Sequence, residues 1–475
     1  MLKRILRYVG VLIISGSLIS ACATKTAYYQ DVGKLVSSGK YSDAVTLTEQ
    51  SKDSAYGNKN ALLYCLDLGM LLHLSGNYKE SNAAFENAKR LFDELFTKSV
   101  TTEASTFLIS DNMRPYYGED FERAHVNIFC ALNYLMLGER NEALVEARQA
   151  DDFLKKLQTD YGYKNVYKED AFARYLMGMI YEDQGQVNDA LISYKIALNA
   201  YKDYQKVYKL TAPQELVNDA LRAASKLRFD NDVQNIKNDW QVPSYEELPK
   251  NFGELVLIDY NGFSAEKIDS FFEISFGKAW IYVNGMDARG KEREEVEQAG
   301  AIARSIIMDE QIRMAFPKYE KIPSRIQGFR VSTQDLSGRS SEGEVVQDIS
   351  AIAQKNLEDR ISRIKIKTIA RAAVKFARAH KISEKVAKDS NDKLLGWITK
   401  KVLNVASAAT EHADKRSWRS LPDKILIARL PLNEGKYSIN LKFYDKSGLP
   451  IEQKTLENIE IKSRKKTFVI VRSAD

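Results

Sequence analysis

Apolar residues recur along the first half of the chain at the three-to-four-residue spacing of one helix face, from about residue 25 to residue 205. From residue 253 onward, short runs rich in β-branched and aromatic residues are bounded by glycine or proline, which indicates β-strands. Between these regions, residues 230–251 are polar and contain proline, which is typical of a surface linker. The pattern therefore predicts a helical first part and a second part that contains a β-sheet.

The helical part contains four similar stretches that align without gaps on a shared glycine. The stretches are "SSGKYSDAV", "LSGNYKESN", "MLGERNEAL" and "DQGQVNDAL", and the glycines are Gly39, Gly76, Gly138 and Gly185. A small residue stands five positions after each glycine and another stands twelve positions after it. Glycine suits a tight turn between two helices, and small residues allow the helices to approach closely. The sequence therefore predicts repeated helix pairs.

These stretches resemble the tetratricopeptide repeat (TPR), in which two antiparallel helices meet through a turn at that glycine. Gly69 and Gly178 stand seven residues before two of the turn glycines, where a small residue permits close helix contact, and large residues such as Phe85 and Tyr194 fill the gaps. The glycines lie further apart than the about 34 residues of the family, so loops must intervene. A helix at residues 212–229 is expected to cap the array.

The resemblance implies a superhelix over residues 22–229 whose concave groove binds a peptide or a partner protein, and it implies no enzyme chemistry. Tyrosines recur in this region, and some are expected to line the groove. The predicted partner-binding residues are Tyr134, Tyr181 and Tyr194. Packing inside the array is the favoured role for most of these tyrosines.

The second part is predicted to form one α+β domain over residues 252–475. Its first expected strands lie at residues 253–262, 271–285 and 325–333. A helix is expected at residues 289–316 and a helical hairpin at about residues 344–415, and the chain returns to strands after Pro422. Both ends of the domain should therefore complete one small antiparallel β-sheet or sandwich. The predicted fold is a TPR-like superhelix followed by this α+β domain.

Residues 1–21 are predicted to be a lipoprotein signal peptide. Positively charged residues precede an apolar stretch that is too short to span a membrane comfortably, and small residues follow it. The segment ends in "ISAC", which resembles the lipobox of bacterial lipoproteins. The resemblance implies that Cys22 becomes the first residue and carries acyl chains such as palmitate, which form a durable membrane anchor. Ala23 after the cysteine implies the outer membrane, and a secretory signal with a chance cysteine is the alternative.

Cleavage would remove three positive charges from a net charge of +6, so the remaining chain is only mildly basic. Between residues 360 and 401, however, thirteen lysines and arginines stand against three acidic residues. The predicted basic surface includes Arg360, Arg363, Lys367, Arg371, Lys375 and Arg378. Such a surface can contact anionic lipid, lipopolysaccharide phosphates or peptidoglycan carboxylates, whereas an exported protein is not expected to meet nucleic acid. A solvated helix face with local ion pairs is the alternative.

The residue types give little support for an enzyme. Forty-four per cent hydrophobic and 28 per cent charged residues are typical of an ordinary globular protein. The four histidines are scattered, and the sequence has no catalytic serine elbow, phosphate loop or metal-spaced cysteines. No cofactor and no metal are therefore expected. Cys65 and Cys130 are predicted to be free buried thiols, and a disulfide between them is the alternative.

One stretch, "ATEHADKRSWRSLP" at residues 409–422, nevertheless gathers acid–base residue types. A catalytic site at Glu411, His412 and Asp414 is one interpretation. The favoured interpretation is a structural joint at the end of a helix, where ion pairs and a tryptophan fix the chain against the sheet. The residues of the predicted joint are Glu411, Asp414, Arg416 and Trp418.

Several segments together resemble an uncharacterised family of bacterial lipoproteins with TPR-like N-terminal regions. They include "AHVNIFCALNYLMLGERNEALVEARQAD", "GELVLIDYNG", "KTIARAAVKFARAHK" and "ATEHADKRSWRSLPDKILIARLPLNEGKYSI". The resemblance implies a two-part protein of the cell envelope without an established activity, and glutamine commonly stands at the position of His412 in that family. We therefore expect a non-enzymatic scaffold on the periplasmic face of the outer membrane, whose groove holds an envelope protein. An enzyme acting on peptidoglycan, an activator of one, and a polyanion-binding protein are the alternatives.

Overall fold

A computed structural model describes residues 27–102, 113–160, 167, 169–249, 251–284, 311–334, 338–390 and 412–475. The predicted signal peptide, Cys22 and Glu411 lie outside the described residues. The same holds for residues 289–310 of one expected helix and for residues 391–411 of the expected helical hairpin.

The first part of the described chain is a succession of α-helices that pack in consecutive pairs, the first of which is joined by a hydrogen bond between Tyr28 and Thr48. The helices are residues 27–37 (α1), Tyr41–Gln50 (α2), Ala61–Leu74 (α3), Tyr78–Thr102 (α4), Asp120–Met136 (α5), Arg140–Asp160 (α6), Ala171–Asp183 (α7), Val187–Tyr208 (α8), Gln214–Lys226 (α9) and Asp230–Trp240 (α10). A π-helical turn and a 3-10 turn lead from α2 into α3. The array therefore contains TPR-like helix pairs, as the sequence predicts.

The four aligned glycines lie at the turns within the first four pairs. Each has a positive φ, from 69° at Gly39 to 81° at Gly138, a conformation that glycine adopts without strain. At Gly39 the following amide, Lys40 N, donates to Leu35 O at 2.8 Å, and the same bond recurs after the other three glycines. This hydrogen-bonding pattern ends a helix by satisfying carbonyls of its last turn, so the glycine defines where each first helix stops.

A fifth helix pair, α9 and α10, follows the four predicted ones. Its turn has Arg228 at a φ of 57° in the place of the glycine, and Phe229 N donates to Ala224 O at 3.0 Å. Residues 230–240 are therefore helical, and only the residues after Trp240 connect the two parts. The prediction that residues 230–251 form a linker is wrong for its first half, because the arginine at the turn concealed the repeat.

Close contact within the pairs confirms the role predicted for Gly69 and Gly178. A methyl group on Gly178 would overlap the ring of Tyr194, and one on Gly69 would overlap the ring of Phe85. Both rings are fully buried between their helices. The prediction that Tyr194 contacts a partner is therefore wrong, since its ring fills the space that the missing side chain of Gly178 leaves.

We expect Gly178→Ala to lower the free energy of unfolding by about 1–3 kcal/mol, the usual cost of overpacking a core. The Tyr194 ring cannot swing aside easily, because its hydroxyl donates to Glu182 at 2.7 Å. Thermal denaturation followed by circular dichroism measures the change. Gly33→Ala is the matched control, because it lies within α1 with no atom near the added methyl group, and it should be neutral or slightly stabilising. Equal stability of the two variants would contradict the packing argument.

The second part contains ten strands and two helices in the described residues. The strands are Gly253–Asn261 (β1), Glu266–Ser275 (β2), Gln311–Glu320 (β3), Gly328–Thr333 (β4), Ser340–Glu342 (β5), Glu344–Asp348 (β6), Lys424–Leu432 (β7), Gly435–Tyr444 (β8), Pro450–Ile461 (β9) and Lys466–Ser473 (β10), and the helices are Phe276–Asn284 (α11) and Ile349–Ser390 (α12). Three expectations are thereby corrected. The strand predicted at 271–285 becomes helical from Phe276, the helix predicted at 289–316 is a strand from Gln311, and the hairpin helix begins after a short strand.

Two four-stranded sheets form the centre of the second part. Sheet I has the strand order β10-β1-β7-β6, and sheet II has the order β5-β4-β8-β9. In sheet I, β1 pairs in parallel with β10 and antiparallel with β7, so both ends of the second part complete one sheet as predicted. Leu255 and Leu257 of β1 pack toward sheet II, which gives a β-sandwich.

A separate group of elements, which we call the arm, consists of β2, α11, β3 and α12 from Arg360 onward. The strands β2 and β3 form an antiparallel ribbon of their own. The ribbon and α11 pack against α12 around a small hydrophobic core that includes Phe276, Met314 and Phe376. The arm therefore has its own core, distinct from that of the sandwich.

The helical array and sheet I share one hydrophobic core. Val256, Ile258 and Tyr260 of β1 belong to the same buried cluster as the helices, and so does Trp418. The described part of the molecule is therefore layered as helices, sheet I and sheet II. None of its helices combines the length and the apolar character that crossing a bilayer requires.

Candidate functional site

Buried polar side chains are concentrated between sheet I and the inner face of the array, which we define as the side formed by the first helices α3, α5, α7 and α9. His73 of α3 hydrogen-bonds Tyr260 of β1 with 2.9 Å between Nε2 and the hydroxyl oxygen. Asp183 of α7 accepts the amide of Lys466 at 2.6 Å. The face that binds ligands in repeat arrays is thus occupied by the chain's own sheet.

The strongest of these contacts is a buried charge cluster centred on Arg429 in β7. Its Nη1 donates to Asp219 Oδ2 of α9 and to the Tyr175 hydroxyl of α7, both at 2.7 Å, and its Nε donates to Glu254 Oε1 of β1 at 2.8 Å. Lys466 Nζ donates to the other oxygen of Glu254 at 2.6 Å. One guanidinium therefore joins two helices of the array to two strands of sheet I.

The electrostatics of this cluster favour ionised carboxylates. Burial by itself would raise the pKa of Asp219 and of Glu254, but Arg429, the neighbouring cations Arg222 and Lys466, and the hydrogen bonds from Arg429 together hold both pKa values below the usual range. The two acids also raise the pKa of Arg429, against the effect of burial. Groups that are ionised and paired with one another bind the two halves together and are not poised to exchange protons.

The predicted joint near the C-terminal strands is a second contact between the halves. Asp414 accepts from Arg416 Nη2 at 2.7 Å and from its Nε at 2.8 Å, and Arg416 Nη1 donates to Asn60 before α3 at 3.0 Å. Burial would raise the pKa of Asp414, but Arg416 lowers it overall. The ion pair between Asp414 and Arg416 is therefore present as predicted, and it reaches the helical array.

The joint differs from the prediction in its backbone. Residues 412–415 are not helical, and Lys415 Nζ lies 2.8 Å from Asp269 of β2. Trp418 is fully buried in the core that the array shares with sheet I, and its ring packs on Phe85 and Phe129 of the array at 5.8 Å between ring centroids. These contacts favour a structural role over a catalytic one. The enzyme interpretation predicts a catalytic His412, and the structure places this side chain half exposed beside Asp269.

Glu122 of α5 fixes the backbone of the joint. Its Oε1 accepts the amide of Trp418 at 2.8 Å, and both of its oxygens accept from the Tyr116 hydroxyl at 2.7 and 2.8 Å. Burial raises the pKa of Glu122 to about 7, although the charge of Lys267 and the hydrogen bonds act in the opposite direction. This carboxyl therefore exchanges its proton near neutral pH inside the contact between the halves.

We expect the contribution of Glu122 to stability to fall as pH rises. Its pKa is about 7 in the folded state against 4.5 for the reference group, so proton uptake stabilises the fold below pH 4.5 and this contribution is lost by about pH 7. The free energy of unfolding of the native protein, measured relative to Glu122→Gln, should decrease by about 3 kcal/mol between pH 4 and pH 8. Glu142→Gln on the exposed face of α6 should keep the native pH profile. Parallel profiles for the native protein and Glu122→Gln would contradict the assignment.

The tyrosines predicted to line a groove are not gathered at an open surface. Tyr181 is buried, and the guanidinium of Arg148 lies over its ring at 5.5 Å. Tyr134 of α5 is half buried. The assignment of Tyr181 and Tyr194 to an open groove is therefore wrong, whereas that of Tyr134 stays a prediction. Sheet I covers the inner face of the array.

The predicted basic surface is only partly a surface. Arg371 is 4% exposed and lies inside the arm, so its assignment to the surface is wrong. Lys367 is exposed, Lys375 is half buried, and Arg360 forms an ion pair with Glu119 before α5. The side chains of Arg363 and Arg378 lie outside the described part.

Within the described residues, side chains suited to a metal ion come together at Glu86, Cys130 and Glu146. The ammonium group of Lys89 lies among them, 2.7 Å from Glu86 Oε1 and 2.6 Å from Glu146 Oε2. Burial also raises the pKa of the Cys130 thiol, which disfavours the thiolate that binds metals. The lysine thus takes the place of a cation. Cys130 and Cys65 are free thiols; Cys130 is buried as predicted, whereas Cys65 is only partly buried.

A small cavity of about 110 Å³ lies between α1 and the loops that follow β1 and precede β7. Val32 and Phe263 contribute apolar walls, and Asp67 lies at a polar end. The Asp67 carboxylate already accepts from the Tyr56 hydroxyl at 2.8 Å and from Ser420 Oγ at 2.7 Å. The contacts of this carboxylate again join the array to the chain before β7.

Sequence reasoning missed the charged residues that join the halves, although a signal was present. Glu254, Arg429 and Lys466 stand within or next to the apolar runs "GELVLI", "KILIARLPL" and "KTFVIV". A charge in a buried strand requires a partner of opposite charge. The sequence alone does not reveal that Asp219 in α9 is that partner.

Comparison with known proteins identifies repeat proteins but no family. No protein-family model matches the chain, and no curated protein matches it. The solved structure of MamA protein is 14% identical and covers 48% of this chain and 100% of its own, with a TM-score of 0.28. The apo form of RapI is 10% identical and covers 80% of this chain and 73% of its own, with a TM-score of 0.33. Pseudomonas aeruginosa PilF is 12% identical and covers 47% of this chain and 92% of its own, with a TM-score of 0.23. These neighbours are TPR-like repeat proteins.

Proposed function

We propose that the protein is a non-enzymatic scaffold of a bacterial cell envelope whose partners bind outside the repeat groove. The observation that carries the proposal is the occupied inner face of the array, where Arg429, Trp418 and Tyr260 of the second part contact the helices. Because these contacts are buried, the array and sheet I act as one rigid support. Partner proteins are then expected on the outer helices and on the arm.

The outer helices offer a protein-binding surface. Val145 of α6 and Ile192 of α8 are about half exposed, although both are large apolar residues within a packed array. Each lies on the second helix of its pair, on the side away from sheet I. Apolar residues surrounded by polar ones on a helical surface are suited to a protein partner.

The proposed anchor is a lipid on Cys22 in the outer membrane, with the folded chain in the periplasm. The described fold begins at residue 27, five residues after this cysteine, and five extended residues span at most about 18 Å. Such a short connection would hold the helical array beside the membrane. Contact with peptidoglycan or lipopolysaccharide is then within reach of the arm, whereas nucleic acid is not an expected partner.

Site-specific photo-crosslinking in cells tests where partners bind. A photoreactive residue in place of Val145 or Ile192 should give the same discrete adduct, and one in place of the half-buried Tyr134 on the inner helix α5 should give none. The adduct should disappear in a variant that carries Ile192→Glu while the crosslinker stands at Val145. Adducts that form from Tyr134 alone would show that the groove opens to a partner and would reject the proposal.

Labelling with radioactive palmitate and fractionation of membranes test the anchor. The native chain should incorporate the label and sediment with the outer membrane, and Cys22→Ala should lose both properties. Cys65→Ala is the matched control, since it removes a thiol from α3 and should keep the label. Equal labelling of the native chain and Cys22→Ala would place the lipid elsewhere.

A further inference from the structure

The arm exposes an unusual share of large apolar side chains. Four of the nine such side chains that are exposed among the described residues belong to it: Phe271, Phe272, Ile281 and Ile366. Phe271 is 51% exposed and Phe272 47%, although they are successive residues of β2. Neighbouring residues of a strand point to opposite faces, so both faces of the ribbon present an aromatic ring to solvent.

Cationic side chains lie beside these apolar side chains, although Glu273 and Glu320 of the same ribbon are exposed as well. The guanidinium of Arg313 lies over the exposed Phe271 ring at 4.5 Å from its centroid, and the ammonium of Lys365 lies at 5.8 Å from the ring of Phe316, which Phe272 contacts. Lys278 and Lys318 of the same elements are exposed as well. The cations therefore lie at the rim of the apolar side chains.

The charge of the arm also differs from that of the rest of the molecule. From Arg360 to Lys388, α12 carries ten lysines and arginines against Glu384, although Arg371 is buried and Arg360 is paired with Glu119. This excess is larger than the net charge of +6 of the whole chain, so the remainder is net negative. The residues from Arg360 to Lys388 extend over about 42 Å of α12, so this charge is spread along a large part of the helix.

Aromatic rings and aliphatic side chains ringed by lysine and arginine match the chemistry of an anionic bilayer surface. The rings enter the boundary between headgroups and acyl chains, and the cations remain at the level of the phosphates. A soluble polyanion would use the charges but not the exposed rings. A protein partner would have to be acidic along most of α12.

We propose that the arm binds the surface of a lipid bilayer that contains anionic phospholipids. The edge of β2 that pairs with no strand among the described residues lies on the bilayer, so that Phe271 and Phe272, from its two faces, enter between headgroups together with Ile281, and the lysines around them bind the phosphates. The contact is independent of the lipid on Cys22 and gives the protein a second attachment to a membrane. The proposal rests on the proposed function only for its setting in the envelope. The scaffold could fail to bind proteins while the arm still binds lipid.

Vesicle flotation tests the arm without the anchor. The chain from Ala23 onward keeps every described residue and has no lipidation site. It should float with vesicles of phosphatidylcholine and phosphatidylglycerol, and binding to vesicles of phosphatidylcholine alone should be at least about tenfold weaker, since several cations lose their counter-charge. The triple variant Phe271→Ser, Phe272→Ser, Ile281→Ser should bind the anionic vesicles at least about tenfold more weakly than the native chain.

Matched variants separate the arm from the rest of the surface. Val145→Ser, Ile192→Ser and Leu449→Ser together remove exposed apolar side chains outside the arm and should leave vesicle binding unchanged. Lys278→Glu, Lys318→Glu and Lys365→Glu should abolish the preference for phosphatidylglycerol, whereas Lys40→Glu, Lys226→Glu and Lys446→Glu should keep it. If the triple serine variant does not fold, the lysine-to-glutamate variants still test whether the arm binds anionic lipid.

Two results would overturn the proposal. One is equal flotation of the native chain and both arm variants. If all of them float, lipid binding lies elsewhere, and if none floats, the protein does not bind these vesicles. The other is a charge-dependent interaction that is indifferent to the three serine substitutions and is matched by soluble heparin. That result would assign the arm to polyanions in solution.

Discussion

Arg429→Met is expected to lower the free energy of unfolding by about 3 kcal/mol or more, because it leaves buried carboxylates without their main partner. Asp219 and Glu254 are both buried and both bind this guanidinium. Lys466 and Arg222 remain as partial partners, which keeps the expected loss at the lower end for a broken buried pair. Urea denaturation at pH 7, followed by circular dichroism, measures the change.

The same substitution should loosen the contact between the array and sheet I before the molecule unfolds completely. Residues 241–249, which connect the halves, should then become more sensitive to limited proteolysis. Glu254→Gln added to Arg429→Met should restore part of the stability, because it removes one of the stranded charges. Arg330→Met breaks an exposed ion pair with Glu342 on sheet II and should have little effect. A denaturation midpoint for Arg429→Met equal to that of Arg330→Met would mean that the cluster does not hold the halves together.

Local signals were enough to predict the helical array. The left-handed turn that ends α5 favours a glycine at position 138, and the close approach of Tyr194 requires one at position 178. The positions of Gly138 and Gly178 in the sequence therefore reveal the helix pairs to which they belong. The fifth pair escaped detection since Arg228 adopts the same backbone conformation without being a glycine. A repeat is visible in sequence only where its turn chemistry is regular.

Two of the three errors in the second part come from short apolar runs whose periodicity fits a helix and a strand equally well. "EVVQD" at β6 continues without a break into the apolar pattern of α12, and only the pairing of Val345 with Leu426 makes it a strand. Likewise, "FGKAW" after β2 is rich in aromatic residues but packs as α11 against Phe376 of α12. Contacts with distant segments decided both cases.

The candidate site could not be predicted because it depends on what covers the array. The fold of the array alone suggests a groove for another protein. Arg429 and Trp418, however, come from the last third of the chain and lie against helices that precede them by about two hundred residues or more. Nothing local in α9 shows that Asp219 will meet an arginine from β7. The occupied inner face is the reason why we propose partners on the outer helices and the arm.

Trp418→Ala should destabilise the protein by about 3–5 kcal/mol, the range for removing a large buried aromatic side chain. Its indole packs edge-on against Phe85 and Phe129 and donates from Nε1 to Ser420 Oγ at 2.9 Å. Ser420 in turn binds Asp67 of α3, so the cavity left by the indole would also weaken that polar contact. Thermal denaturation compared with the native chain gives the loss, and Trp418→Phe should recover part of it because most of the apolar volume returns.

Trp280→Ala is the informative control, since it removes the same side chain from α11 in the arm, where it contacts Phe276. That variant should perturb the arm and its binding to vesicles while leaving the joint between array and sheet intact. If Trp418→Ala instead retained native stability, the buried joint would be dispensable and the rigid-support argument would fail. If both variants unfolded the whole molecule equally, the arm's core would be continuous with the main one. The expected separation of the two effects follows from two hydrophobic cores, one that holds the halves together and one that belongs to the arm.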